Sequence, residues 1–291
     1  MFRNETPQLN DEASLVERAK ASILSDAQYS ETDFAKSEKE RVYKYEVIGG
    51  GKSVLYFGTD HISDPQDPLF EEIESEIRDY APEMLMVEGM GAINSRKESI
   101  KPRIASLSYE EAKKQGESTL VLKLAVELDV DFESPEPDLS EEVAYVEKSG
   151  FSRADIFSYY IYRIVEQYQR ENKDRNLEDF KKYVNPFLKE LLNESAWSAD
   201  EFAGYENAFF AELRLEDHEW YFNRVHPLPD EGGGWKYGTN AVSSCSGNFR
   251  DQYALERIAE SLQKYNKVFV AFGSAHAVRL EPALRVLLEN K

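Results

Sequence analysis

Short apolar runs punctuate a chain that is otherwise polar. Val54–Phe57, Met84–Val87 and Val268–Phe272 each lack a charged side chain. Runs of this length, bounded by glycine or charge, predict buried strands. Val42–Ile48 is a further strand-like run, joined to Ser53–Phe57 through Gly49-Gly50-Gly51. That arrangement predicts a β-hairpin. Phe70, Ile73, Ile77 and Tyr80 recur at helical spacing, which predicts a helix over Leu69–Tyr80, ended by Pro82. Met90–Ser108 reads as a polar connection. Tyr109–Leu128 reads as one helix with Leu120, Leu124 and Leu128 on a stripe, followed by a strand at Val130–Ser134. Strands alternating with helices predict a parallel sheet covered by helices.

The pattern changes after Glu141. No strand is predicted from there to Trp220. Amphipathic stretches crowded with Tyr and Phe run over Ile156–Tyr168, Phe180–Leu192 and Glu201–Leu213. An aromatic stripe at helical spacing is normally core, so a helical insertion at about 140–225 is expected. Its sharper reading is a lid over a site. Pro227–Asn248 reads as a long loop rich in Gly and Ser, a length that favours a functional loop. A helix at Asp251–Leu262, the strand Val268–Phe272 and a last helix to Leu288 complete the chain. Residues 1–40 are read as a polar extension with one helix near Glu12–Leu24, and 41–291 as a single domain containing the insertion.

Charge and composition narrow the choice of partner. The formal net charge is −20 over 291 residues, with 41% hydrophobic and 12% aromatic content. Such a chain folds around a sizeable core, and its surface repels nucleic acid and anionic membranes. No run of about 18 apolar residues is present, so no membrane span is expected. The first residues lack the apolar stretch of a signal peptide, and Cys245 is the single cysteine. Together these predict a cytoplasmic address and no internal disulfide.

Candidate chemistry gathers at the strand ends. Two of the four histidines stand in the same context: Phe57-Gly-Thr-Asp-His61 and Phe272-Gly-Ser-Ala-His276. Open α/β sheets build their sites at the carboxyl ends of strands. If these two strands are neighbours, His61 and His276 meet in space, joined by Glu88 and Glu136 from the ends of two other strands. Such a set holds a divalent metal with an open position, or serves a metal-free His general base oriented by a carboxylate. Each residue also has a structural reading: a His after a strand caps a helix, and a strand-end Glu is solvated. Asp60 reads as a cap. Glu117 reads as a helix opener favoured by the dipole. Arg250 is placed to pin a carboxylate or bind an anion, and Asp251 beside it reads as a helix cap. Gly51-Lys52-Ser53 is not a phosphate loop, because a strand follows it. Cys245 lacks a cationic neighbour in sequence, and His218 and His226 lie outside the sheet pattern.

The motifs Phe57-Gly-Thr-Asp-His61, Val87-Glu88-Gly89, Arg250-Asp251 and Phe272-Gly-Ser-Ala-His276 resemble those of the TraB/TIKI/GumN group, within a superfamily that includes erythromycin-esterase-like and haem-binding ChaN-like proteins. The resemblance covers about 42–138 and 248–290. It implies an α/β fold with a mixed central sheet and a site at one edge. It implies a hydrolase, either a metal-dependent protease or a metal-free esterase, or else a haem- or small-ligand-binding protein. On this reading His61, Glu88 and His276 hold a divalent ion such as manganese, cobalt or zinc. Glu117 or Glu136 is the general base, Arg250 steadies the developing anion, and the substrate is a peptide or small molecule.

Overall fold

Gly50 and Gly51 both have positive φ, at 58° and 78°. That is what a two-residue hairpin loop between right-twisted strands requires. The computed structural model describes residues 7–37, 42–59, 64–89, 93–171, 176–227 and 234–289. The hairpin pairs β1 (Tyr43–Gly49) with β2 (Lys52–Thr59) antiparallel. The remaining strands are β3 (Met84–Val87), β4 (Asp131–Glu133) and β5 (Lys267–Gly273). Their order is β1-β2-β5-β3-β4, with every contact after the first parallel. The sheet is therefore mixed, and β5 lies at its centre.

The apolar runs are continuous because both sheet faces are covered. Val54, Tyr56, Val268 and Val270 share one cluster with Leu255, Ile258, Leu280 and Leu284. Leu55, Phe57, Phe269 and Ala271 share the other with Phe70, Ile73, Leu120 and Leu124. The helices are α1 (Pro7–Lys20), α2 (Asp26–Ser30), α3 (Asp33–Lys36), α4 (Leu69–Tyr80), α5 (Ile93–Ser106), α6 (Tyr109–Lys114) and α7 (Glu117–Leu128), then α8 (Leu139–Lys148), α9 (Arg153–Glu171), α10 (Leu177–Glu194), α11 (Ala199–Glu212), α12 (His218–Val225), α13 (Gly238–Lys264) and α14 (Ser274–Glu289).

Four segments differ from their sequence reading: residues 1–40, read with one helix, carry α1, α2 and α3, and three others lie further on. The polar connection at Met90–Ser108 contains α5, whose Ile104 is fully buried. Pro102 inside it disguises the period, since proline usually interrupts a helix. The helix expected over Tyr109–Leu128 is two, α6 and α7, broken where Gly116 adopts φ 94°. The loop expected over Pro227–Asn248 becomes helical at Gly238. Ser and Gly are poor helix formers, but burial of Val242, Ser244 and Ser246 outweighs propensity there.

The chain divides into two compact units: residues 1–137 with 251–291, and residues 138–250. In the first, the N-terminal helices join the sheet's core through Leu15 and Ala19. In the second, Phe157, Tyr160, Phe180, Trp197, Phe202 and Phe209 form an aromatic core, so the stripes pack inward as their spacing predicts.

Two backbone positions give opposite stability tests. A Cβ on Gly58 would lie 2.6 Å from Ala277 Cβ and 2.8 Å from Ser274 Cα, so the glycine admits the start of α14 against β2. Gly58→Ala should destabilise the fold by about 1–3 kcal/mol. Ala81 caps α4 in the left-handed region at φ 48°. Ala81→Gly relieves a left-handed alanine, a strain of roughly 1–2 kcal/mol partly offset by glycine's freedom when unfolded, and should raise stability. Urea unfolding of the two variants beside wild type checks both signs.

Candidate active site

Register brings the strand ends together. Thr59 pairs with Gly273, and Val87 with Ala271, so β2, β5 and β3 finish at one edge. The Glu88 amide continues the ladder to the Ala271 carbonyl at 3.0 Å. His61, which follows β2, lies outside the described residues, as does Asp60. Thr59, just before them, is paired at this edge.

His276 stands in the first turn of α14, directly after β5. Its ring stacks on Phe272 at 4.4 Å and 10°. Its Nδ1 lies 2.5 Å from Asp251 Oδ1. Asp251 is completely buried, and its second oxygen lies 2.7 Å from Arg279 Nε. Those two atoms lack the alignment of a hydrogen bond, so the attraction between them is one of charge. Arg279 in turn donates from Nη1 to Asp26 Oδ1 in the N-terminal segment. Beside a guanidinium the Asp251 carboxylate acts as acceptor, which assigns a proton to Nδ1.

Glu88 and His276 both approach Gly273. A Cβ on Gly273 would lie 3.2 Å from Glu88 Oε2 and 3.4 Å from His276 Cδ2. Both side chains thus border the space beside Gly273, which a side chain there would tighten. Glu136 reaches the same edge, but its Oε2 accepts the Gly89 N–H, and its own N–H donates to Ser134 Oγ at 3.2 Å. It fixes the turn after β3. Glu117 opens α7, as its helix-dipole reading predicts, and is buried. The neighbouring Ser118 Oγ lies 3.7 Å from the Cβ position of Gly89.

Asp251 corrects the sequence reading. It is a residue of the helix interior, since α13 begins thirteen positions earlier, and the group it serves is His276. The signal that could have found it is the spacing of His276 and Arg279, two potential donors on one helix face, which call for a carboxylate opposite. Arg250 belongs to the helical unit, where it is buried and its charge acts on Arg163. His226 caps α12, packs against Phe222, and its carbonyl accepts from Asn240 Nδ2 at 2.9 Å.

Among the described residues, no group of three or more His, Cys, Asp or Glu side chains is placed to hold a metal ion. No described helix is long and apolar enough to cross a membrane. No family model, curated protein or solved structure matches the chain.

Cys245 offers a test of how burial acts on a thiol. Burial, helped by the nearby Glu142 charge, pushes its thiol up. A raised thiol is protonated at neutral pH and gains reactivity only as pH rises. Alkylation by iodoacetamide should be slower in the folded chain than in urea. It should still be accelerating past pH of about 8.5, where a free thiol is half ionised. Fast labelling of the folded chain at neutral pH would contradict this.

Proposed function

We propose that the chain is a hydrolase that cleaves a peptide or ester bond with a water activated between His276 and Glu88. One observation carries the reading: the imidazole is held at Nδ1 by a buried carboxylate while its other edge shares the space above Gly273 with a second carboxylate. A histidine so held has one rotamer and one tautomer, with Nε2 free to take a proton or to ligate. Glu88, beside the same glycine, would orient that water.

The donor chemistry suits a divalent ion such as manganese, cobalt or zinc. His276 and Glu88 are two suitable ligands, and the Asp251 bond to Nδ1 is the outer support that ligating histidines ordinarily have. His61 would be the third ligand. When bound, such an ion makes water acidic enough to attack at neutral pH and polarises the scissile carbonyl. Whatever the ion, this chain's own residues set the direction of attack: Asp251 fixes the ring, Phe272 supports its face, and Gly273 keeps the space open. The metal-free alternative draws on the same Asp251–His276 pair, with His276 as the general base.

His276→Gln and Glu88→Gln should each lower hydrolysis of a responsive peptide or ester by roughly 10²–10⁴-fold in chains that still fold. Elemental analysis of wild type and both variants reads the ion separately. Near-stoichiometric metal that disappears in the variants supports the ion-assisted form. Hydrolysis that survives exhaustive chelation supports the His–Asp form. Folded variants with wild-type activity would overturn the proposal.

A further inference from the structure

The N-terminal segment enters the candidate site through charge. Asp26 opens α2, behind a capping box made by Ser25 and Gln28. Its carboxylate is buried against Arg279, itself only 6% exposed, and Arg279 is buried against Asp251. The Leu24 amide also donates to the Arg279 carbonyl at 3.1 Å. Four ionisable side chains thus stand in line: Asp26, Arg279, Asp251 and His276. Leu15, Ala19, Val16 and Ile23 already seat the segment in the apolar cluster that holds Leu280 and Leu284. A buried charge is costly unless it is paired, and the pair here is with Arg279.

The need comes from Arg279. One guanidinium beside one carboxylate would draw Asp251 onto itself. Shared between two carboxylates, its charge is divided, and Asp251 keeps an oxygen with net negative character for the His276 Nδ1 proton. We infer that Asp26 and Arg279 are positioning residues of the site, and that the N-terminal segment completes it by holding Arg279 away from full engagement with Asp251. The inference rests on the reading of His276 as the working imidazole. It goes beyond that reading by making residues 24–30 part of the functional unit.

The test follows the Nδ1 proton directly by ¹⁵N-edited proton NMR of the full chain. Its downfield resonance is assigned by disappearance in His276→Gln, and Asp251→Asn provides the lost-bond reference. Asp26→Ala should shift the resonance upfield and broaden it through exchange with water, while Asp26→Glu restores it. On a responsive substrate, kcat should fall about ten-fold, the scale of outer-shell changes, with KM little altered. If Asp26 only ties the segment down, the folded Asp26→Ala chain will melt earlier with the resonance unmoved, and the inference fails. If Asp26→Ala does not fold, Asp26→Asn supplies the same comparison with the side chain's shape retained. A moved resonance in a chain that hydrolyses nothing would uphold the positioning role and sink the hydrolase reading alone.

Discussion

A single carboxylate sets the conditions for much of the sheet-bearing unit. Asp251 has no exposed surface. A charge withdrawn from water to that degree costs several kcal/mol unless partners replace its hydration. The partners here are His276 and Arg279, three residues apart on one face of α14. Meeting them ties α13 to α14 in a fixed register. Because Arg279 is buried as well, the same requirement passes on to Asp26 and fixes α2. The orientation of one imidazole is thereby coupled to the packing of helices drawn from both ends of the chain.

The two Gly-x-x-His motifs look alike, yet their glycines act differently. Gly58 pairs with Phe272, whereas Gly273 pairs with Thr59, so the motifs are offset by one residue across the ladder. Gly58 still belongs to β2, and its missing side chain makes room for α14. Gly273 ends β5, and its missing side chain makes room for Glu88 and His276. One glycine admits a helix and the other borders two side chains. A tight turn, the reason the motif suggests on its face, is not the main reason in either case.

What the sequence made legible follows from how local the signal is. β3 and α4 are bounded as their apolar spacing predicts, because burial on two faces or on one stripe leaves a period that neighbours repeat. The parallel pairing of the two Gly-x-x-His strands follows from the same alternation, and with it the common edge that gathers Glu88 and His276. The helices α5 and the start of α13 were hidden, since Pro102 and the Ser-rich Asn240–Asn248 oppose helix formation locally and are overruled by tertiary burial. Asp251 is visible in the sequence, but its reading as a cap depends on a helix start that lies elsewhere. Asp26 carried no local sign at all. Its partner is 253 positions away, and only the folded core brings them together.

The pair Arg250-Asp251 shows how far a two-residue motif can be trusted. Successive residues on a helix point about 100° apart, so Arg250 and Asp251 leave the helix in different directions. Asp251 turns to His276 and Arg279, and Arg250 is buried with the helical unit. Read as a motif, the pair suggests a guanidinium that steadies the reacting anion and a carboxylate that caps. Read through the helix, the carboxylate becomes the group that orients the imidazole, and the guanidinium that touches it is Arg279, 28 residues further on. The chemistry assigned to this edge therefore rests on contacts made between α13 and α14 rather than on adjacency in the chain.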